Sequence, residues 1–171
     1  MEKTERSDLV VVCDAGPIIH LDELKQLHLF IDFEKVLIPE SVWKEIKFHR
    51  PDTELNSFNG LIIQGIKPSN EILALTKIFT LHQGETDALE LMRKFNTAIF
   101  LTDDTAARLA AKGLNYKVHG TIGILIRSIR RQLCSKDQII ALLRDLPLVS
   151  TLYIKKSLLN SIIQQLEEIP N

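Results

Sequence analysis

The stretch LVVVCDAGPIIHL, from Leu9 to Leu21, sets the strongest limit on what this chain can fold into. A run of β-branched apolar residues without polar alternation is the pattern of a strand covered on both faces, and such strands belong to parallel sheets flanked by helices. The run ends in Asp14, and Pro17 follows at a place where the first turn of a helix tolerates a residue without an N–H. A carboxylate at the mouth of a buried strand is costly unless it is paired, hydrogen-bonded or bound to a metal. The other acids of the chain decide which.

The strand-then-helix pattern recurs. VLI, Val36 to Ile38, reads as a second short strand, and Pro39 opens the helical stretch PESVWKEIKF. HRPDTELNSFNG is a polar loop, LIIQGI an edge strand, and NEILALTKIFTL and GETDALELMRKF two helices. AIFLT, Ala98 to Thr102, repeats the logic of the first strand and ends in Asp103 and Asp104. DTAARLAAKG is a helix that Gly113 is suited to end in left-handed geometry, and YKVHG supplies another strand. Thr121 is placed to cap TIGILIRSIRRQL, while Ser135 and Gln138 have capping-box spacing ahead of IIALLRDL. A last amphipathic helix runs from Lys155 to Glu168. This alternation predicts an α/β fold in three layers, a mostly parallel central sheet with helices on both faces and right-handed crossovers. Residues 1–171 read as a single domain, with 147–171 a C-terminal helical extension.

Composition removes several classes of function. Hydrophobic residues make up 45% and charged residues 25%, with a net charge of −1, so bulk charge predicts no polyanionic partner. Cys13 and Cys134 form neither a disulfide framework nor a metal-ligand spacing, which fits a reducing cytoplasmic setting. The opening MEKTERSD lacks the apolar core of a signal peptide, and no apolar run is long enough to span a bilayer. There is no G-x-G-x-x-G after the first strand, no Walker loop and no G-x-S-x-G elbow, so nucleotide cofactors and a serine nucleophile have no support. His20, His28, His49, His82 and His119 are scattered, and only His119 is placed by its strand near a sheet end that could hold a site.

In open α/β sheets, ligands bind beyond the carboxyl ends of the strands. Asp14 and the pair Asp103 and Asp104 stand there, and if their strands are neighbours the carboxylates lie close together. Like charges at short range persist only where a proton or cation offsets them, and a divalent cation is the natural candidate. Glu45, on the helix after the second strand, and Glu85 and Asp87, opening GETDALEL, could join them. Taken singly, each acid reads as a solvated or helix-capping carboxylate. Asp14 is the exception, because its strand is too apolar for an accidental surface site.

These residues together resemble the PIN-domain superfamily of metal-dependent nucleases, in particular its VapC-like prokaryotic branch. VVCDAGPIIHL is similar to the opening strand with its first catalytic acid, and IPESVWKEI to the proline-led helix whose acid corresponds to Glu45. LHQGETDALEL resembles the helix of the third acid, matched by Asp87 with Glu85 beside it. LTDDTAARLAAKGLNYKVHGTIGILIRSIRRQL resembles the stretch bearing the last acid, either Asp103 or Asp104. Gly16 departs from the family, many of whose toxins carry a small polar residue at that position.

The resemblance implies Mg2+ or Mn2+ at Asp14, Asp87, Asp103 or Asp104 with Glu85 adjacent, while Glu45 orients or deprotonates water. It implies hydrolysis of RNA phosphodiesters, a toxin role with a small antitoxin protein as partner, and a homodimer. Lys112, Lys117, Arg127, Arg130 and Arg131 are the basic residues that could meet RNA, with Tyr116 the one aromatic among them. The alternative is a PIN-like module that binds nucleic acid or protein without cutting it. A metal-dependent phosphatase or receiver-like domain ranks behind both, for want of a second acid close to Asp14 and a placed lysine.

Overall fold

A computed structural model describes residues 7–55, 58–95 and 98–169. Most of the N-terminal MEKTERSD, positions 56–57 of the expected loop and the terminal 170–171 lie outside the described residues. Five strands form one sheet in the order β3-β2-β1-β4-β5, where β1 is Ser7–Cys13, β2 Phe33–Pro39, β3 Leu61–Gln64, β4 Ile99–Leu101 and β5 Val118–His119. Every neighbouring pair is parallel. The two buried strands of the sequence, LVVVC and AIFLT, are therefore neighbours, and LIIQ is an edge as expected.

Side chains of successive strand residues point to opposite faces. Val11, Cys13, Val36, Ile38 and Leu101 thus feed one core, packed by α1 (Ala15–Glu23), α2 (Glu40–His49), α6 (Thr121–Arg130), α7 (Lys136–Val149) and α8 (Lys156–Glu168). Val12, Leu37 and Phe100 feed the other core, against α3 (Asn70–Phe79), α4 (Gln83–Lys94) and α5 (Thr105–Gly113). These are the three layers the alternation predicts. Leu159 and Leu166 of α8 are buried in the first core, so the C-terminal helix shares the core of the sheet. Among the described residues no helix is long and apolar enough to cross a membrane.

Two helix ends differ from the sequence reading. Helix α5 runs through Gly113, and the left-handed residue is Asn115 at φ 62°, a conformation Asn tolerates through its short polar side chain. Thr121 does not cap α6; Gly120 holds the N-cap position and the Thr121 hydroxyl is turned to Asp103 instead. The Ser135–Gln138 capping box forms as expected, with Gln138 N–H donating to the serine hydroxyl at 3.2 Å.

Helix α6 is fixed to the turn that leads into β2 through a buried carboxylate. Asp32, at the end of a 3-10 turn (Leu27–Asp32), accepts from Arg127 Nε at 2.5 Å and from Arg131 Nε at 2.7 Å. The Arg127 guanidinium also lies 5.6 Å from the Phe33 ring centroid. Replacing Asp32 by Ala removes the carboxylate that two partly buried guanidiniums share, and we expect a loss of about 2–4 kcal/mol in urea unfolding, within the range for breaking a buried ion pair from one side.

Candidate metal-dependent active site

Because β1 is the middle strand, the residue after its last position lies at the centre of the carboxyl edge of the sheet. That residue is Asp14, 7% exposed. Its N–H continues the ladder to the Leu101 carbonyl at 2.9 Å. Its Oδ1 caps α1 by accepting the Ala15 N–H at 2.8 Å, and its Oδ2 accepts the Thr102 hydroxyl at 3.0 Å. The same hydroxyl accepts the Asp104 N–H at 3.1 Å, so one threonine joins the two strand-end acids. Asp104 caps α5 through Oδ1, which accepts the Ala107 N–H at 2.8 Å.

These groups open onto a cavity of about 750 Å³ whose walls include Asp14, Glu45, Glu85, Asp103 and Asp104. Burial pushes the Asp14 carboxyl up to about 7 against the pull of its two hydrogen bonds, and the negative charges of Glu85 and Glu45 push it the same way. Burial likewise raises Glu85, helped by Asp104 and Glu45 and opposed by the His82 N–H that its Oε2 accepts at 2.8 Å. Among the described residues no lysine or arginine forms an ion pair with Asp14, Glu45, Glu85 or Asp104.

Asp103 has a different role from Asp104. Its Oδ1 accepts the Thr121 N–H at 2.8 Å, and its Oδ2 accepts the Thr121 hydroxyl at 2.5 Å and contacts His20 Nδ1 at 2.8 Å. Burial opposes its ionisation, but these hydrogen bonds outweigh it and hold the carboxyl below its ordinary range. Gly120 makes this possible, since a Cβ there would collide with Asp103 Oδ1 and the Arg108 guanidinium. Both oxygens of Asp103 are occupied, whereas the capping bond of Asp104 uses Oδ1 alone.

The two acids at the start of α4 are placed differently. Positions 85 and 87 lie on different sides of α4, because residues two apart on a helix do not share a face. Glu85 lines the cavity; Asp87 accepts the Ser41 hydroxyl at 2.5 Å instead, with burial raising its carboxyl. Three histidines that the sequence left scattered, His20, His49 and His82, line the cavity, while His119 faces a separate hollow with Arg127 and Arg130. Of the expected basic residues, Arg127 and Arg131 are engaged by Asp32, and Lys112, Lys117 and Arg130 are exposed but do not line the acidic cavity. Tyr116 packs in the second core, and the aromatic at the cavity is Tyr153.

The donor chemistry suits a hard divalent ion: carboxylate oxygens with no cation beside them. Among the described residues no three or more Asp, Glu, His or Cys cluster tightly enough to enclose a metal. That spread is compatible with Mg2+ or Mn2+ held by one or two carboxylates and reaching the others through water. Asp14, Glu85 and Asp104 are the residues that would hold it, with Glu45 facing them across the cavity.

The buried Asp14 gives a pH dependence of definite sign. Its folded value lies above the ordinary carboxylate range, so the folded state binds the proton more tightly than the unfolded state. This contribution is complete below about pH 4 and is lost as pH rises to about 7, costing roughly 4 kcal/mol in the absence of divalent ions. Urea unfolding in chelator at pH 5 and pH 8 should therefore show the wild-type chain losing stability that Asp14→Asn retains, and Mn2+ should restore it at pH 8 only in the wild type.

A family model described as a PIN domain, DUF3368, matches residues 10–168. No curated protein matches the chain. The matched span takes in every acid of the cavity and all eight helices named above, and so the chain belongs to the PIN-domain family, whose members are generally nucleases.

Proposed function

We propose that the chain is an Mg2+- or Mn2+-dependent endoribonuclease that hydrolyses RNA phosphodiesters at the Asp14 cavity. The observation that carries this reading is the buried Asp14 carboxylate, faced by Glu85 and Glu45 and paired with no cation among the described residues. Such an arrangement is costly for folding and useful for chemistry on a phosphate.

A bound divalent ion would supply positive charge to the phosphate oxygens and lower the pKa of a coordinated water. The protein side of the reaction falls to a few groups. Asp14 and Asp104, linked through Thr102, fix two anchor points at strand ends, and Glu85 adds a third from α4. Glu45, exposed on α2, is the carboxylate free to accept a proton from the attacking water oxygen as the new P–O bond forms and the bridging P–O bond breaks. The His20–Asp103–Thr121 group keeps that wall rigid and leaves the anionic Asp103 satisfied.

A toxin role extends the same reading, with a small antitoxin protein covering the acidic cavity and a homodimer as the assembly. Co-purification with a small partner that blocks cleavage tests it. The activity is tested on a single-stranded RNA in Mn2+ and in chelator. Asp14→Asn, Glu85→Gln and Asp104→Asn should each lower metal-dependent cleavage by about 100-fold or more. Asp87→Asn should stay within about threefold of wild type, because that carboxyl faces Ser41. Metal-independent binding without any cleavage would favour the non-catalytic module instead.

A further inference from the structure

One wall of the cavity is built from neither a strand end nor an acid. Residues 150–155, between α7 and α8, cross its rim outside any helix or strand, and both ends are extended, Ser150 at φ −128° and ψ 148° and Lys155 at φ −60° and ψ 127°. Alternate side chains divide as on a strand. Leu152 and Ile154 pack against the first core, and Thr151, Tyr153 and Lys155 face solvent. The segment is pinned to the end of α1, where Glu23 accepts from Ser150 Oγ at 2.8 Å, from Thr151 N at 2.7 Å and from Thr151 Oγ1 at 2.9 Å.

Tyr153 is 88% exposed yet lines the cavity. A large ring on an anchored backbone, contributing nothing to the core, presents a flat face that water covers poorly. Lys155 and Lys156 follow at once, exposed and without an ion pair among the described residues. An exposed aromatic face with exposed lysines two and three residues further on supplies what a single strand of nucleic acid requires, a surface for a base and charge for its phosphates.

We propose that Tyr153 is the platform on which an unpaired base of the substrate stacks while the adjoining phosphate enters the acidic cavity, with Lys155 and Lys156 meeting the flanking backbone. The inference rests on the nuclease reading and narrows it to single-stranded or looped nucleic acid. A base within a duplex already has both faces covered by its neighbours and cannot lie on the ring.

The test is steady-state cleavage in Mn2+ of a fluorescein-labelled single-stranded RNA of about 12 nucleotides, and of the same sequence as a duplex. Tyr153→Ala should raise KM for the single strand roughly 5- to 150-fold and leave kcat within about threefold. Tyr153→Trp and Tyr153→Phe should stay near wild type, and the duplex should be a poor substrate for all of them. Lys155→Gln with Lys156→Gln should flatten the salt dependence of KM by about one unit of log–log slope per residue. Thermal unfolding provides the folding control, since the ring is exposed. A wild-type chain that cuts RNA with the same KM as Tyr153→Ala overturns the inference and leaves the nuclease reading standing. A wild-type chain that cuts nothing overturns both. If Tyr153→Ala handles RNA normally and instead loses affinity for a protein partner, the ring belongs to protein recognition and the inference is likewise overturned.

Discussion

The desolvated carboxylate of Asp14 is the interaction on which the arrangement of this molecule depends. The chain takes several acids out of full solvent contact and gives some of them basic partners. Asp32 has two guanidiniums, Glu90 has Arg93 and the Ser69 N–H, and Asp103 has His20 and both donors of Thr121. Among the described residues the Asp14 carboxylate has the Ala15 N–H and the Thr102 hydroxyl, and the charges of Glu85 and Glu45 have the same sign as its own. A buried charge left in that state opposes folding, so its retention at the centre of the sheet points to a ligand.

Why Asp14 stays in place follows from the backbone. Its N–H closes the ladder to β4, and its side chain starts α1, so one residue ends a strand and begins a helix. Thr102 does the corresponding work on β4, accepting from Asp104 while donating to Asp14. The spacing of the two strand-end acids is therefore set by main-chain pairing, which is stiffer than any side-chain contact.

Much of this was legible in the sequence because it is local. The continuous apolar runs before Asp14 and Asp103 announced two central parallel strands, and their pairing brought the acids together. What stayed hidden depends on rotation about helix axes and on contacts distant in sequence. GETDALEL offers two acids near one helix start, and only the packed direction of α4 separates Glu85 from Asp87. Gly84 is the signal that could have decided it, since a Cβ there would lie 3.0 Å from Val42 Cγ2 and 3.3 Å from Glu45 Oε2. The RSIRR run looked like an RNA-binding face because Asp32, which holds Arg127 and Arg131, lies nearly a hundred residues earlier. Tyr153 had no nearby motif to mark it, and only the fold carries it to the cavity; His20 stood six residues after Asp14, but its bond to Asp103 spans 83 positions.

The tether between Glu23 and residues 150–151 has a consequence for synthesis on the ribosome. The acids from Asp14 to Asp104 are all translated before the wall that Tyr153 belongs to. Since chains begin to fold from the N-terminal side as they emerge, the growing chain passes through a stage in which Glu23 awaits its partners and the cavity lacks one side. The anchoring hydrogen bonds to Ser150 and Thr151 are then the contacts that close that side of the cavity.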